Sequence, residues 1–138
     1  MRKFMRPPRI LILGGVTIAI VLLSTYAWTS HTTWRRYERA IVEIQAPNAD
    51  FGTLERKYQC RIEPGPPVRV AFVHDAGLLD NWTAIVYDST GIVARAGQIE
   101  ADLSNWDDPA FAEIRRLFGG EMRWSKPLGG HWYLCSFT

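Results

Sequence analysis

Histidine and cysteine are scarce here, three and two among 138 residues. No metal-ligand spacing links them, so the sequence offers no ground for a zinc or iron centre. Gly-x-Ser-x-Gly, the phosphate loop and the dinucleotide fingerprint are all missing. No catalytic residue, cofactor or metal site is therefore expected. Internal repeats and low-complexity stretches are missing too. The composition, 47% hydrophobic and 22% charged, is that of an ordinary globular chain.

Charge is missing altogether from Ile10–Trp28, a run of 19 residues whose most apolar part is Ile10–Leu23. A helix of that length measures about 28 Å, close to the ~30 Å hydrocarbon layer. Thr17, Ser24 and Thr25 fit such a helix because a hydroxyl can bond back to its own backbone. Tyr26 and Trp28 suit the headgroup level. Acid is missing from the flank before the run, where Arg2, Lys3, Arg6 and Arg9 stand. Arg35, Arg36 and Arg39 follow at a greater distance. The positive-inside rule places the N-terminus in the cytoplasm.

The net charge of +2 belongs to that flank. The rest of the chain holds twelve basic and all fourteen acidic residues, a balance of −2. Such a domain carries no electrostatic footprint for phosphate, and nucleic acid is not an expected partner. A second reading of the N-terminus is a cleaved signal peptide, with Thr25-Tyr26-Ala27 as a poor cleavage site. Either way the C-terminal domain lies outside the cytoplasm. Gly15 and Ala19 form a small-xxx-small pair, which is common in any span.

Beyond the run, Trp34, Tyr37, Ile41 and Ile44 make an apolar stripe at helical spacing. A helix is expected over Thr32–Gln45, stopped by Pro47. A long N-terminal helix leading into a β-rich head is similar in outline to type IV pilins and pseudopilins. The likeness stops there: no Glu stands in Ile10–Trp28, and no leader cut site precedes it.

Lys57–Glu63 reads as a strand with Tyr58, Cys60 and Ile62 on one face. Pro64-Gly65-Pro66-Pro67 is a spacer, and Val68–His74 a second strand buried on much of both faces. Trp82–Tyr87 and Ile92–Ala96 flank Asp88-Ser89-Thr90-Gly91, which reads as a β-hairpin. Asp108 and Pro109 open a helix with Phe111, Ile114, Leu117 and Phe118 on its face, closed by Gly119-Gly120. Glu121–Ser125 and Trp132–Phe137 form a second hairpin around Lys126–Gly130.

The expected fold is α+β: an N-terminal transmembrane helix, then a small, mostly antiparallel sheet with one or two helices. The expected organisation is a cytoplasmic basic flank at 1–9, a transmembrane helix at 10–28, a juxtamembrane helix at 29–47 and an extracytoplasmic domain at 48–138.

Cys60 and Cys135 sit in expected strands near opposite ends of the domain. In an oxidising compartment they suggest one disulfide, which requires the first and last strands to be neighbours. His74-Asp75 ends a strand, and a site from His74, His131 and Asp75 or Asp80 is conceivable but unmotivated. Positions 131 and 135 are about 13 Å apart along a strand, too far for a Cys–His pair. Asp107 and Asp108 suit helix capping better than glycoside hydrolysis. Of the tryptophans beyond Trp28, most are expected in the core. Trp106, in the polar stretch Ser104-Asn105-Trp106-Asp107, is the expected partner contact.

The function expected from this is a non-enzymatic, membrane-anchored interaction module of the bacterial cell envelope. Its partners would be membrane lipid and an envelope protein. Alternatives are a small envelope hydrolase acting on cell-wall or peptide substrates, and a protective protein of the immunity or exclusion type.

Overall fold

A computed structural model describes residues 9–77, 81–101 and 109–138, the side chains of 9–15, 17 and 99–101 excepted. The chain divides into two compact units, one up to Glu38 and one of Arg39–Thr138. Trp106, Asp107, Asp108 and Asp80 lie outside the described residues, and with them the expected partner contact and the expected helix cap.

Helix α1 covers Arg9–Ile44. The expected membrane run and the expected Thr32–Gln45 helix are thus one element. From Ile18 to Thr33 every side chain is exposed. Its hydroxyls need no water: Ser24 donates to the Ile20 carbonyl at 2.7 Å, Thr25 to Val21 at 3.1 Å and Thr29 to Thr25 at 3.0 Å. Among the described residues no helix is long and apolar enough to cross a membrane. Most of the Ile10–Leu23 run's first half lies outside the described side chains.

The second unit is α+β. Its elements are α2 (Phe51–Tyr58), β1 (Cys60–Glu63), β2 (Arg69–Asp75), β3 (Trp82–Tyr87), α3 (Ile92–Ala101), α4 (Pro109–Arg115), β4 (Arg116–Leu117), β5 (Gly120–Gly129) and β6 (Trp132–Phe137). The strands form one antiparallel sheet in the order β1-β2-β3-β6-β5-β4.

Alternation along the strands separates two faces. On one, Ala71, Ala84, Val86, Cys135 and Phe137 join Val93 and Ala96 of α3 in a single core. Among the described residues, the buried apolar side chains outside that core are Ala40, Ile41 and Ile44 of α1, Tyr58 of α2, and Cys60, Val70 and Phe72 on the opposite face.

The sheet also curls, and its edges come together. The Glu63 carboxylate of β1 accepts from the Phe118 N–H at 2.7 Å, while Arg61 donates to the Phe118 carbonyl at 3.1 Å. Phe118 follows β4, at the other end of the strand order.

Four expectations need correction. The Ile92–Ala96 segment is helix α3, so Asp88–Gly91 does not turn a hairpin. The buried Asp88 carboxylate accepts from the Thr90 hydroxyl, from Thr90 N–H at 2.9 Å and from Val93 N–H at 2.9 Å. That caps a helix. Val93 and Ala96 are buried at helical spacing.

Next, β1 begins only at Cys60. Tyr58 ends α2, an element the sequence reading missed, which Asp50 caps by accepting from Thr53 N–H and Gln59 closes at φ 55°. The helix expected to run to Phe118 stops at Arg115, and Phe118 (φ 54°) and Gly119 (φ 75°) turn the chain from β4 into β5.

The disulfide is the fourth. Cys60 and Cys135 are both buried free thiols. Cys60 pairs with Phe72, Phe72 with Ile85, and Ile85 with Leu134. Cross-strand partners share a face, so Cys60 points to the side of Leu134 and Cys135 to the other. Three strand spacings, about 14 Å, also separate β1 from β6, against the ~7 Å that a disulfide spans. The two strands are not neighbours.

Candidate functional site

The curl of the sheet leaves a cleft of about 440 Å³ where β1 and β3 meet the β4–β5 turn. Among the described residues it is lined by Arg61, Val73, Ala76, Gly77, Asn81, Trp82, Gly119, Gly120 and Thr138.

The cleft is built on a stack. Trp82 lies against Phe137, ring centres 4.1 Å apart and 13° from parallel, and Phe118 meets Phe137 edge-on at 6.0 Å. On Trp82 rests the Arg61 guanidinium, 4.2 Å from the ring centre. Cation–π contacts of this kind are worth about 0.5–2 kcal/mol and fix the plane of the group. The hydrogen bond to the Phe118 carbonyl fixes it further. Gly120 keeps the turn close: a Cβ there would come within 3.3 Å of the Trp82 ring and 3.2 Å of the Thr138 carbonyl.

Glu63, two residues from Arg61, is committed elsewhere. One carboxylate oxygen accepts from Phe118 N–H and the other pairs with Arg69 at 2.8 Å. Among the described residues no Asp or Glu side chain pairs with Arg61. A second cleft of about 420 Å³ differs in this respect. Arg115 and Arg116 line it together with Glu113 and Glu121, and Arg115 approaches Glu121 at 3.5 Å. Its charges balance internally.

The histidines do not converge. His74 sits on β2 between the partners of Ala84 and Thr83, while His131 precedes Trp132, the partner of Tyr87. They stand toward opposite ends of β3 with two strand spacings between them, on the order of 15 Å apart. His131 is exposed beside Tyr87 and offers its backbone carbonyl to Asp88 N–H at 2.9 Å. Among the described residues no three His, Cys, Asp or Glu gather as metal ligands.

Neither cysteine is poised as a nucleophile. Burial, with the nearby Asp88, pushes the Cys135 thiol up to about 12, and burial, with Glu55, pushes Cys60 up to about 11. A reactive cysteine needs its pKa moved the other way.

Sequence reading singled out neither Arg61 nor Trp82 as a site residue. They are 21 positions apart and meet only through the sheet's curl, which leaves no local trace. No family model, curated protein or solved structure matches this chain.

Proposed function

We propose that this protein is a membrane-anchored interaction module of the bacterial cell envelope, non-enzymatic, with its globular unit outside the cytoplasm. One observation carries the reading. Between Val16 and Trp28, α1 exposes Val16, Ile18, Ile20, Val21, Leu22 and Leu23 to the extent of 54–68% each. In water each large apolar side chain left uncovered forfeits about 1.5–3 kcal/mol of burial. Lipid removes that deficit, and the back-bonded hydroxyls remove the polar objection to it. The four basic residues before the run supply the orientation. A tether of this kind confines the globular unit to a surface and raises its effective concentration toward envelope partners.

A cleft holding His74 or His131 beside a carboxylate would favour the hydrolase alternative, and neither histidine lines either cleft described above. Crosslinking in intact bacteria, followed by alkaline washing of membranes and pull-down of the full chain, tests the proposal. The expected result is recovery from washed membranes, joined to an envelope protein. Recovery from the soluble fraction, or from membranes with no crosslinked partner, would count against it.

A further inference from the structure

We propose that the β5–β6 hairpin docks on an anionic lipid surface, with Trp124 and Leu128 entering the headgroup layer and Arg123 and Lys126 meeting lipid phosphates. This rests on the membrane-anchored reading. It adds to the tether a second point of lipid contact, made by the globular unit itself.

The fold leaves apolar side chains of this hairpin uncovered. Trp124 and Leu128 are 44% and 45% exposed. Strand register explains the position of Trp124. Helix α3 covers the opposite face of the hairpin, where Ser125, the partner of Cys135, donates to the Val93 carbonyl at 3.2 Å. Trp124 and Lys126 pair with Ser136 and Leu134, so they lie on the face turned away from α3. Ile85 of β3, the other partner of Leu134, shares that face. A tryptophan suits a lipid surface because its body is apolar while its indole N–H stays wet.

The charge of the same hairpin selects the surface. From Met122 to Phe137 the chain carries Arg123, Lys126 and His131 and no acid, and Trp82–Tyr87 of β3 adds none. Asp88, next after β3, is buried and turned to the first N–H groups of α3. Arg123 and Lys126 are exposed, and among the described residues no carboxylate pairs with either. Each such cation beside an anionic bilayer favours contact by roughly fivefold, and exposed Trp and Leu among basic residues is the composition of interfacial segments. Confinement acts in the same direction. Ten residues separate Trp28 from Arg39, where the globular unit begins. Even fully extended they reach at most about 40 Å, which keeps the effective concentration of lipid around the hairpin high.

Fluorescence quenching by a lipid-borne nitroxide tests the proposal. The full chain is reconstituted in phosphatidylcholine vesicles with or without phosphatidylglycerol. It carries a dye at Leu128→Cys or, for comparison, at Ala112→Cys, an exposed position of α4 beside Arg116 and Glu121 at the other end of β5. Cys60 and Cys135 are buried and do not compete for the label. With phosphatidylglycerol present, quenching at position 128 should exceed that at position 112 at least about twofold, and should fall toward it in phosphatidylcholine alone. The double variant Arg123→Glu, Lys126→Glu reverses two exposed charges and should weaken the contact more than about tenfold. Flotation of each variant with the vesicles reads the tether separately. In chains that float, equal quenching at the two positions, indifference to phosphatidylglycerol, or unchanged quenching in a folded double variant would each overturn the hairpin contact and leave the tether standing. Chains that do not float would overturn both. Shielding at position 128 that grows with the protein-to-lipid ratio would put a second copy on this face, and would overturn the lipid contact as well.

Discussion

Cys60 and Cys135 were legible as buried strand residues but not as strangers to each other. The sequence shows two thiols in apolar, alternating segments, and alternation places each on a face. It does not say that the two faces are opposite, because that depends on the parity of three successive strand pairings. The consequence is chemical. Both thiols are raised, to about 11 and about 12, chiefly by burial. The neutral form is thus favoured in the folded state. Stability from this source is fully present below about pH 9, near the unfolded thiol value, and is lost as pH rises toward 11–12. Thiol-specific labelling at pH 8 should find both cysteines unreactive in the native protein and both reactive in denaturant without reductant. Reductant should leave the melting temperature unchanged. A reductant-dependent second thiol, or a melting temperature that falls on reduction, would contradict the structure.

At the scale of elements, β2, β3 and the terminal hairpin were legible because each alternates or carries its own turn residues. Helix α3 was not. Ile92-Val93-Ala94 reads equally well with a period of two, and Asp88-Ser89-Thr90-Gly91 suits a hairpin turn as well as a helix start. What decides is Asp88: buried, its carboxylate satisfies the first turn of the helix, a role that appears only once the helix packs on the sheet. Gly97 then lies against β5. A Cβ there would come within 2.1 Å of Ser125 Oγ and 3.1 Å of its Cβ. Gly97→Val is expected to destabilise the fold by about 1–3 kcal/mol in urea denaturation, as overpacking does. Ser125→Gly in the same chain should recover part of that loss. A neutral Gly97→Val would mean that α3 does not sit on β5. Helix α2 was missed for a different reason: at eight residues it is too short to establish a period, although Asp50 ahead of Thr53 is a capping pattern.

For the whole molecule, composition and turn chemistry reveal an α+β class with an antiparallel sheet. Strand order and curl are long-range properties. Glu63 and Arg61 reach Phe118 across more than fifty residues, and nothing near either marks the partner. The Arg61–Trp82 cleft is a product of that closure, so it was invisible in the sequence for the same reason. The proposed tether rests on the opposite kind of evidence, a local one: Ile10–Trp28 without charge, four basic residues ahead of it, and a helix whose described apolar side chains from Val16 to Leu23 are uncovered. The central claim is that this helix holds the globular unit on the far side of a bacterial inner membrane. A reporter active only outside the cytoplasm, fused after Thr138 of the full chain, tests it most directly. The account predicts an active reporter that remains with alkali-washed membranes. Activity from a reporter that works only in the cytoplasm, fused at the same position, would contradict it.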